Sequence, residues 1–311
     1  MITAFGEVLI DFIAAEEGDL ENVKIFEKHP GGAPANVAVG VSRLGIPSFL
    51  VSKVGDDPFG RFLIRRLKEE GVNTEGVLID NEKHTGVVFV QLKGAKPSFI
   101  LYDEVAYFNI KLSEVPWEIL ESSKIVHFGS VLLAREPSRG TMIKVIETLK
   151  EKSLVSFDVN IRKDLWRSEE ELVETLKRVL SNVDILKLSD EEFNLLKEYG
   201  LEPRGKLITA ITYGAEGCRI ESDEASIFVP AYKVSPVDTT GAGDAFVSAL
   251  LVGLLALDKQ KLEESDMFLL GKFANLVAGL STQKRGAWSV PRREELEKYE
   301  EGRKIFSLIT L

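Results

Sequence analysis

Residues 238–250 read Asp-Thr-Thr-Gly-Ala-Gly-Asp-Ala-Phe-Val-Ser-Ala-Leu. Gly241, Ala242 and Gly243 precede an apolar run of helical character, and glycine lets a backbone turn tightly and a ligand approach its amides. The first N–H groups of a helix lack internal partners and sit at the positive end of its dipole, so this turn can hold an anion. Asp244 is the odd residue there, because a carboxylate at the mouth of such a site repels a phosphate. It has a purpose if it takes the proton from a hydroxyl that attacks that phosphate. An ordinary helix cap inside a tight loop is the other reading, and this stretch alone leaves both open.

Other residues invite chemistry. Asp11 closes an apolar stretch, residues 2–13, expected as one buried strand, and a charge at such a strand end is costly without a partner or ligand. Gly31 and Gly32 form a turn into an expected helix from Val37, and Asn36 beside them offers both a donor and an acceptor. Either a ligand approaches that turn or it only reverses the chain. The single Cys218 permits no internal disulfide, fits a reducing cytoplasm and reads as a small buried side chain. His29, His84 and His127 show no metal spacing and are expected to be structural, as are Trp166 and Trp288.

The elements that must position these groups alternate. Strands at residues 48–54, 124–128, 154–158, 184–188 and 207–212 are separated by amphipathic helices, and a hairpin spans 218–229. This alternation predicts a mostly parallel sheet with helices on both faces. Ligands bind beyond the carboxyl ends of such strands. Asp11, Gly31, Asp158, Lys187, Thr212 and Gly241 all fall at or just after expected strand ends and should meet on one rim. Residues 12–26 and 85–108 alternate differently, and a lid drawn at about 12–30 and 84–110 is expected as a small antiparallel sheet projecting from a single domain of 1–311. The net charge of −10 argues against non-specific nucleic-acid binding. No signal peptide is read, and the most apolar run, 245–257, falls short of the roughly 20 residues that span a bilayer. A cytoplasmic protein without nucleic-acid or membrane partners is therefore expected.

Gly31-Gly32-Ala33-Pro34-Ala35-Asn36-Val37-Ala38 and Asp238-Thr239-Thr240-Gly241-Ala242-Gly243-Asp244-Ala245-Phe246 resemble the two signatures of the ribokinase-like carbohydrate kinases, also called the phosphofructokinase-B family. The likeness runs over essentially the whole chain. A Walker A loop and a dinucleotide fingerprint after the first strand are both absent. The resemblance implies a ribokinase-like α/β fold with a β-sheet lid, often a homodimer through the lid sheets. It implies phosphorylation of a hydroxymethyl group on a sugar or nucleoside with ATP and Mg2+, and in many members K+. It casts Asp244 as catalytic base and the amides of Gly241, Ala242 and Gly243 as anion hole, with Arg162 at the phosphate. It gives sugar contacts to Asp11, Gly31, Gly32, Asn36, Tyr102 and Asn160. Asn160 and Arg162 belong to an Asp158-x-Asn-x-Arg element. Nucleotide contacts fall to Lys187, Ser189, Thr212, Gly214, Gly217 and Asn275, and Mg2+ to Glu192, directly or through water. Asp238 and Thr240 are cast as monovalent-cation ligands. Ser189 stands where the family often has asparagine, and Ser189 with Glu192 also forms a helix capping box.

Within the family, Gly6-Glu7-Val8-Leu9-Ile10-Asp11-Phe12, His127-Phe128-Gly129-Ser130, Leu165-Trp166 and Ser189-Asp190-Glu191-Glu192 resemble the fructokinase-like branch. After the lid tyrosine, Tyr102, stand Asp103 and Glu104 where many fructokinases and ketodeoxygluconate kinases carry arginine. That loss disfavours an acidic sugar, which wants a guanidinium partner, and it weakens the fructose assignment as well. A nucleoside kinase, a ribokinase, a 2-keto-3-deoxygluconate kinase and a sugar- or nucleotide-sensing regulator without turnover are the alternatives.

Overall fold

The computed structural model describes residues 1–16, 18–91, 98–102 and 104–309. In chain order the strands are β1 (Ile2–Phe5), β2 (Leu9–Ala14), β3 (Phe26–Gly31), β4 (Ser48–Gly55), β5 (Val77–Asp80), β6 (Val87–Gln91), β7 (Ser98–Leu101), β8 (Ile125–Gly129), β9 (Leu154–Asp158), β10 (Ile185–Ser189), β11 (Ile208–Thr212), β12 (Gly217–Glu221) and β13 (Ser226–Pro230). The helices are α1 (Ala33–Arg43), α2 (Pro58–Glu69), α3 (Trp117–Glu121), α4 (Ser138–Leu149), α5 (Glu169–Leu180), α6 (Asp190–Glu198), α7 (Ala242–Leu257), α8 (Glu264–Ser281), α9 (Arg293–Leu296) and α10 (Glu300–Leu308).

Nine strands form one sheet in the order β13-β12-β11-β10-β9-β8-β1-β4-β5. The pairs from β11 to β5 are parallel, and only the β12–β13 hairpin joins its edge antiparallel. Strands such as β8 and β9 are apolar almost throughout because helices cover both faces. On one face Ile146, Leu172 and Leu176 of α4 and α5 pack on Phe128 and Phe157. On the other, Val41, Leu250 and Phe273 of α1, α7 and α8 pack on Ile125 and Ile208. Local chemistry starts the helices where the alternation predicts: Asp57 Oδ1 accepts the Phe59 and Gly60 amides at the head of α2, and Ser168 caps α5. The ribokinase-like α/β architecture expected from the two signatures is present. No helix among the described residues is long and apolar enough to cross a membrane.

A separate four-stranded sheet, β3-β2-β6-β7, stands off this body. Three expectations need correction here. Residues 2–13 are not one strand: the chain turns at Gly6, where a Cβ would overlap Pro34, so β1 lies in the main sheet and Asp11 in the lid. The lid is mixed, since β2 and β6 run parallel. It also ends earlier than position 110, because Ala106–Asn109 is a tight helical turn buried in the main core, with Tyr107 1% exposed. The lid is tied to the body at its root, where Thr85 donates its N–H and hydroxyl to Asp57 and accepts the Gly55 amide.

Candidate active site

The carboxyl end of β10, the loop after β9, the starts of α1 and α7, and Asp11 of β2 bring their charged and polar groups together around Asp244. That residue lies in the first turn of α7 and is buried. Its Oδ2 accepts the Asn36 side-chain amide at 2.7 Å. Burial raises its pKa above the usual carboxylate range, while the Asn36 bond and the charges of Lys187 and Arg162 pull it back. Gly241 opens the helix at φ +76°, with Ala287 packed where a side chain would stand. The Lys187 ammonium overhangs the turn: a Cβ on Gly243 would lie 3.2 Å from its Nζ. No side chain caps α7; the Thr239 carbonyl accepts the Ala242 amide at 3.2 Å.

Lys187, expected to face phosphates, holds both Asp158 oxygens at 3.1 Å, and both residues are buried. Burial pulls the ammonium pKa down, yet Asp158, Glu192 and Asp244 carry it net upward, so the cation persists. Asn36, expected on the sugar, donates to Asp244 and accepts the Trp288 indole N–H at 2.8 Å. It orients the carboxylate from within.

Asp11 reaches the site from the lid. It lies opposite His29 in the β2–β3 register, and its Oδ2 occupies the space a Cβ on Gly31 would fill. Burial lifts its pKa to about 6; His29 and Arg162 oppose the rise and Asp244 adds to it. Gly32, at φ +101°, is the N-cap of α1, which begins at Ala33, four residues before the expected start. Asn160 adopts a left-handed φ of +32°, and its carbonyl accepts the Ser130 hydroxyl at 3.0 Å. Arg162, two residues on, acts electrostatically on Glu7, Asp11 and Asp244 alike, which puts its charge at the centre of the group.

The expected nucleotide and metal residues divide. Ser189 and Glu192 form the capping box of α6. Glu192 Oε1 also accepts the Ile161 amide at 2.9 Å, stitching α6 to the loop that bears Asn160 and Arg162. Among the described residues no group of three or more acid, histidine or cysteine side chains could cage a metal. Thr212 Oγ1 lies 3.4 Å from the Leu188 carbonyl. Gly214, at φ +55°, is exposed with open space around it, whereas Gly217 at φ +132° is crowded by Val229 and serves the hairpin. Asn275, expected beside the base, donates to the Val229 and Pro230 carbonyls at 3.0 Å each and fastens α8 to β13. Asp238 accepts the Thr240 and Gly286 amides at 2.9 and 2.8 Å, bracing the loop before the glycine turn. Tyr102, just past β7, is 52% exposed. Asp103 lies outside the described residues, and Glu104 is turned to Lys83 at 3.0 Å.

Three residues of the group escaped the sequence reading. Glu7 is buried under the Gly32 turn, with Oε1 accepting the Ala33 amide at 3.1 Å. Trp288 holds Asn36. His29 stands beside Asp11 and against Gly286. Only the alternation of β3 with β2 could have brought His29 forward. His127, by contrast, is structural as expected: burial drops its pKa to about 3, and it pairs with Ser156. Cys218 is likewise buried, its thiol pushed up to about 12 by burial.

Residues 1–293 match the pfkB family of carbohydrate kinases. The chain is similar to an uncharacterised sugar kinase of Pyrococcus horikoshii solved in complex with ATP: 58% identity, TM-score 0.94, covering 98% of this chain and 100% of that one. It is 36% identical to fructokinase-1 of Zea mays across 95% of this chain and 96% of the relative. A fructokinase of Vibrio cholerae, solved with fructose, ADP and calcium ion, is 30% identical with a TM-score of 0.80 over 96% of this chain and 98% of that one.

Proposed function

Because the chain belongs to the pfkB family of carbohydrate kinases, we propose that it transfers a phosphoryl group from ATP to a hydroxymethyl group of a sugar, with fructose the preferred acceptor. The observation that carries the mechanism is Asp244, a buried carboxylate at the uncapped head of α7 and beneath the Lys187 ammonium. Asp244 orients the acceptor hydroxyl and takes its proton. The amides of Gly241, Ala242 and Gly243 steady negative charge on the transferring group, and Arg162 adds its guanidinium from the facing loop. Asp11, with Asn160 nearby, accepts from sugar hydroxyls beneath the lid. Gly214 admits the nucleotide phosphates to the backbone, with Thr212 beside it.

ATP as donor is supported by the ATP-bound Pyrococcus relative, and fructose by the two fructokinases. Magnesium supplies charge neutralisation between the phosphates when bound. Both Glu192 oxygens already accept an amide but keep lone pairs, which suits a water-mediated contact to an ion borne by the nucleotide. Asp238 and Thr240 would hold a potassium ion beside the glycine turn. A homodimer through the lid sheets completes the reading, and light scattering that finds only monomer removes that part.

The test of function is ADP release against fructose, ribose, glucose, ketodeoxygluconate and nucleosides. Turnover with fructose foremost is expected; preference for another acceptor overturns the substrate, and silence across the panel favours a sensing role. Because burial raises the Asp244 pKa, the acid limb of turnover should lie above the ordinary aspartate range.

A further inference from the structure

Glu7 has no part in the chemistry above, yet it lies in the middle of it. It belongs to the short link between β1 and β2 and is 3% exposed. Oε1 accepts the Ala33 amide, while Oε2 is shut from solvent without a hydrogen-bond partner among the described residues. The Glu7 carbonyl is itself pressed against Gly32, where a Cβ would stand 2.5 Å away. The charged groups that face the Glu7 side chain are Asp244 from α7, which repels a carboxylate, and Arg162 from the loop after β9, which attracts one. An ionised carboxylate enclosed this way, with a second acid close by, is expensive. A neutral carboxyl fits: its carbonyl oxygen accepts the amide and the other oxygen keeps the proton.

We propose that Glu7 works as a neutral carboxylic acid, a positioning residue that pins the Gly32–Ala33 turn and keeps another negative charge away from the phosphate site. Its reach to the chemistry runs through α1. The turn sets the start of that helix, Asn36 lies in its first turn, and Asn36 holds the Asp244 carboxylate. Burial pushes the Glu7 pKa to about 8; its own amide, that of Ala33 and Arg162 lower it, and Asp244 raises it. Above that range Glu7 ionises beside Asp244 and loosens or repels what it organises.

The experiment compares wild type, Glu7→Gln and Glu7→Ala. The turnover arm rests on the sugar-kinase reading and uses whichever acceptor the wild type phosphorylates. Glu7→Gln, which keeps shape and neutrality, should hold kcat within about threefold at neutral pH. It should also lose the decline that the wild type shows as pH passes about 8. Glu7→Ala should lose about tenfold in kcat, the worth of one buried hydrogen bond. A glutamine variant as impaired as the alanine one, or one with an unchanged alkaline decline, overturns the proposal. Thermal melting against pH is the second readout and needs no substrate. Glu7 has a folded pKa above its unfolded one, so its stabilising proton is fully present below the unfolded value and lost as pH rises to about 8. The melting temperature of wild type should therefore fall relative to Glu7→Gln across that window and run parallel above it. A constant difference sinks the proposal even if no acceptor is found, whereas silence of the wild type in the sugar panel would sink only the kinase reading.

Discussion

At Gly32 and at Gly241 the chain makes left-handed turns, φ +101° and +76°, into helices that pack side by side. Gly40 of α1 lies so close to Ser248 of α7 that a Cβ would overlap its hydroxyl. The two turns share their local device and differ in what stands over them. At α1 the Ala33 amide is taken by Glu7, and Pro34 brings no N–H at all. At α7 the Thr239 carbonyl takes the Ala242 amide, but no side chain closes the helix head, and a lysine ammonium overhangs it. The first turn is a joint that fixes Asn36 in place, and the second, under the proposed function, is a socket for negative charge. A glycine turn before a helix is therefore insufficient to mark an anion site; the neighbours that do or do not consume its amides decide.

Substitutions can break or sharpen this contrast. The largest effect is expected for Asp244→Asn, which should lower kcat by about 10²–10⁴-fold while calorimetry still detects nucleotide binding. Full turnover in that variant would leave the socket without chemistry. Gly32→Ala should come next, at about 2–3 kcal/mol of stability in urea titration, because a side chain there meets both an unfavourable φ and the Glu7 carbonyl. Gly243→Ala should do the opposite. As a helical residue it meets only the movable Lys187 end, so stability should hold while turnover drops about tenfold, as expected for one displaced anion-hole charge. Equal loss of stability in both alanine variants would erase the distinction between joint and socket. The smallest change is Trp288→Phe, which removes one hydrogen bond to Asn36 and should cost about 1 kcal/mol, seen as a fewfold fall in kcat with the fold intact.

The parallel sheet was legible because its strands are buried on both faces and read as short apolar runs; residues 154–158 were placed without error. The lid was less legible. Residues 2–13 look like one strand because both β1 and β2 are apolar, and only the packing of Pro34 on Gly6 reveals the break. Tyr107 and Phe108 alternate like lid residues but are drawn into the core. Within the site, Asp244 and the glycines stood out because their types conflict with an ordinary helix start. The bonding of Asn36 to Asp244 and Trp288 did not, since Asn36 and Trp288 are 252 positions apart. Ordinary-looking side chains such as Glu7 and His29 gain meaning only from what the fold sets beside them, the Ala33 amide for one and Asp11 for the other.

The bond between Trp288 and Asn36 has a stereochemical consequence. An indole nitrogen can only donate, so the Asn36 oxygen must face it and the Asn36 NH2 must face Asp244. Oδ2 of Asp244 thereby accepts one hydrogen bond from within the protein, and the carboxylate is held in a fixed orientation at the head of α7. The direction in which the Asn36 amide faces Asp244 is thus set by an indole 252 positions further along the chain.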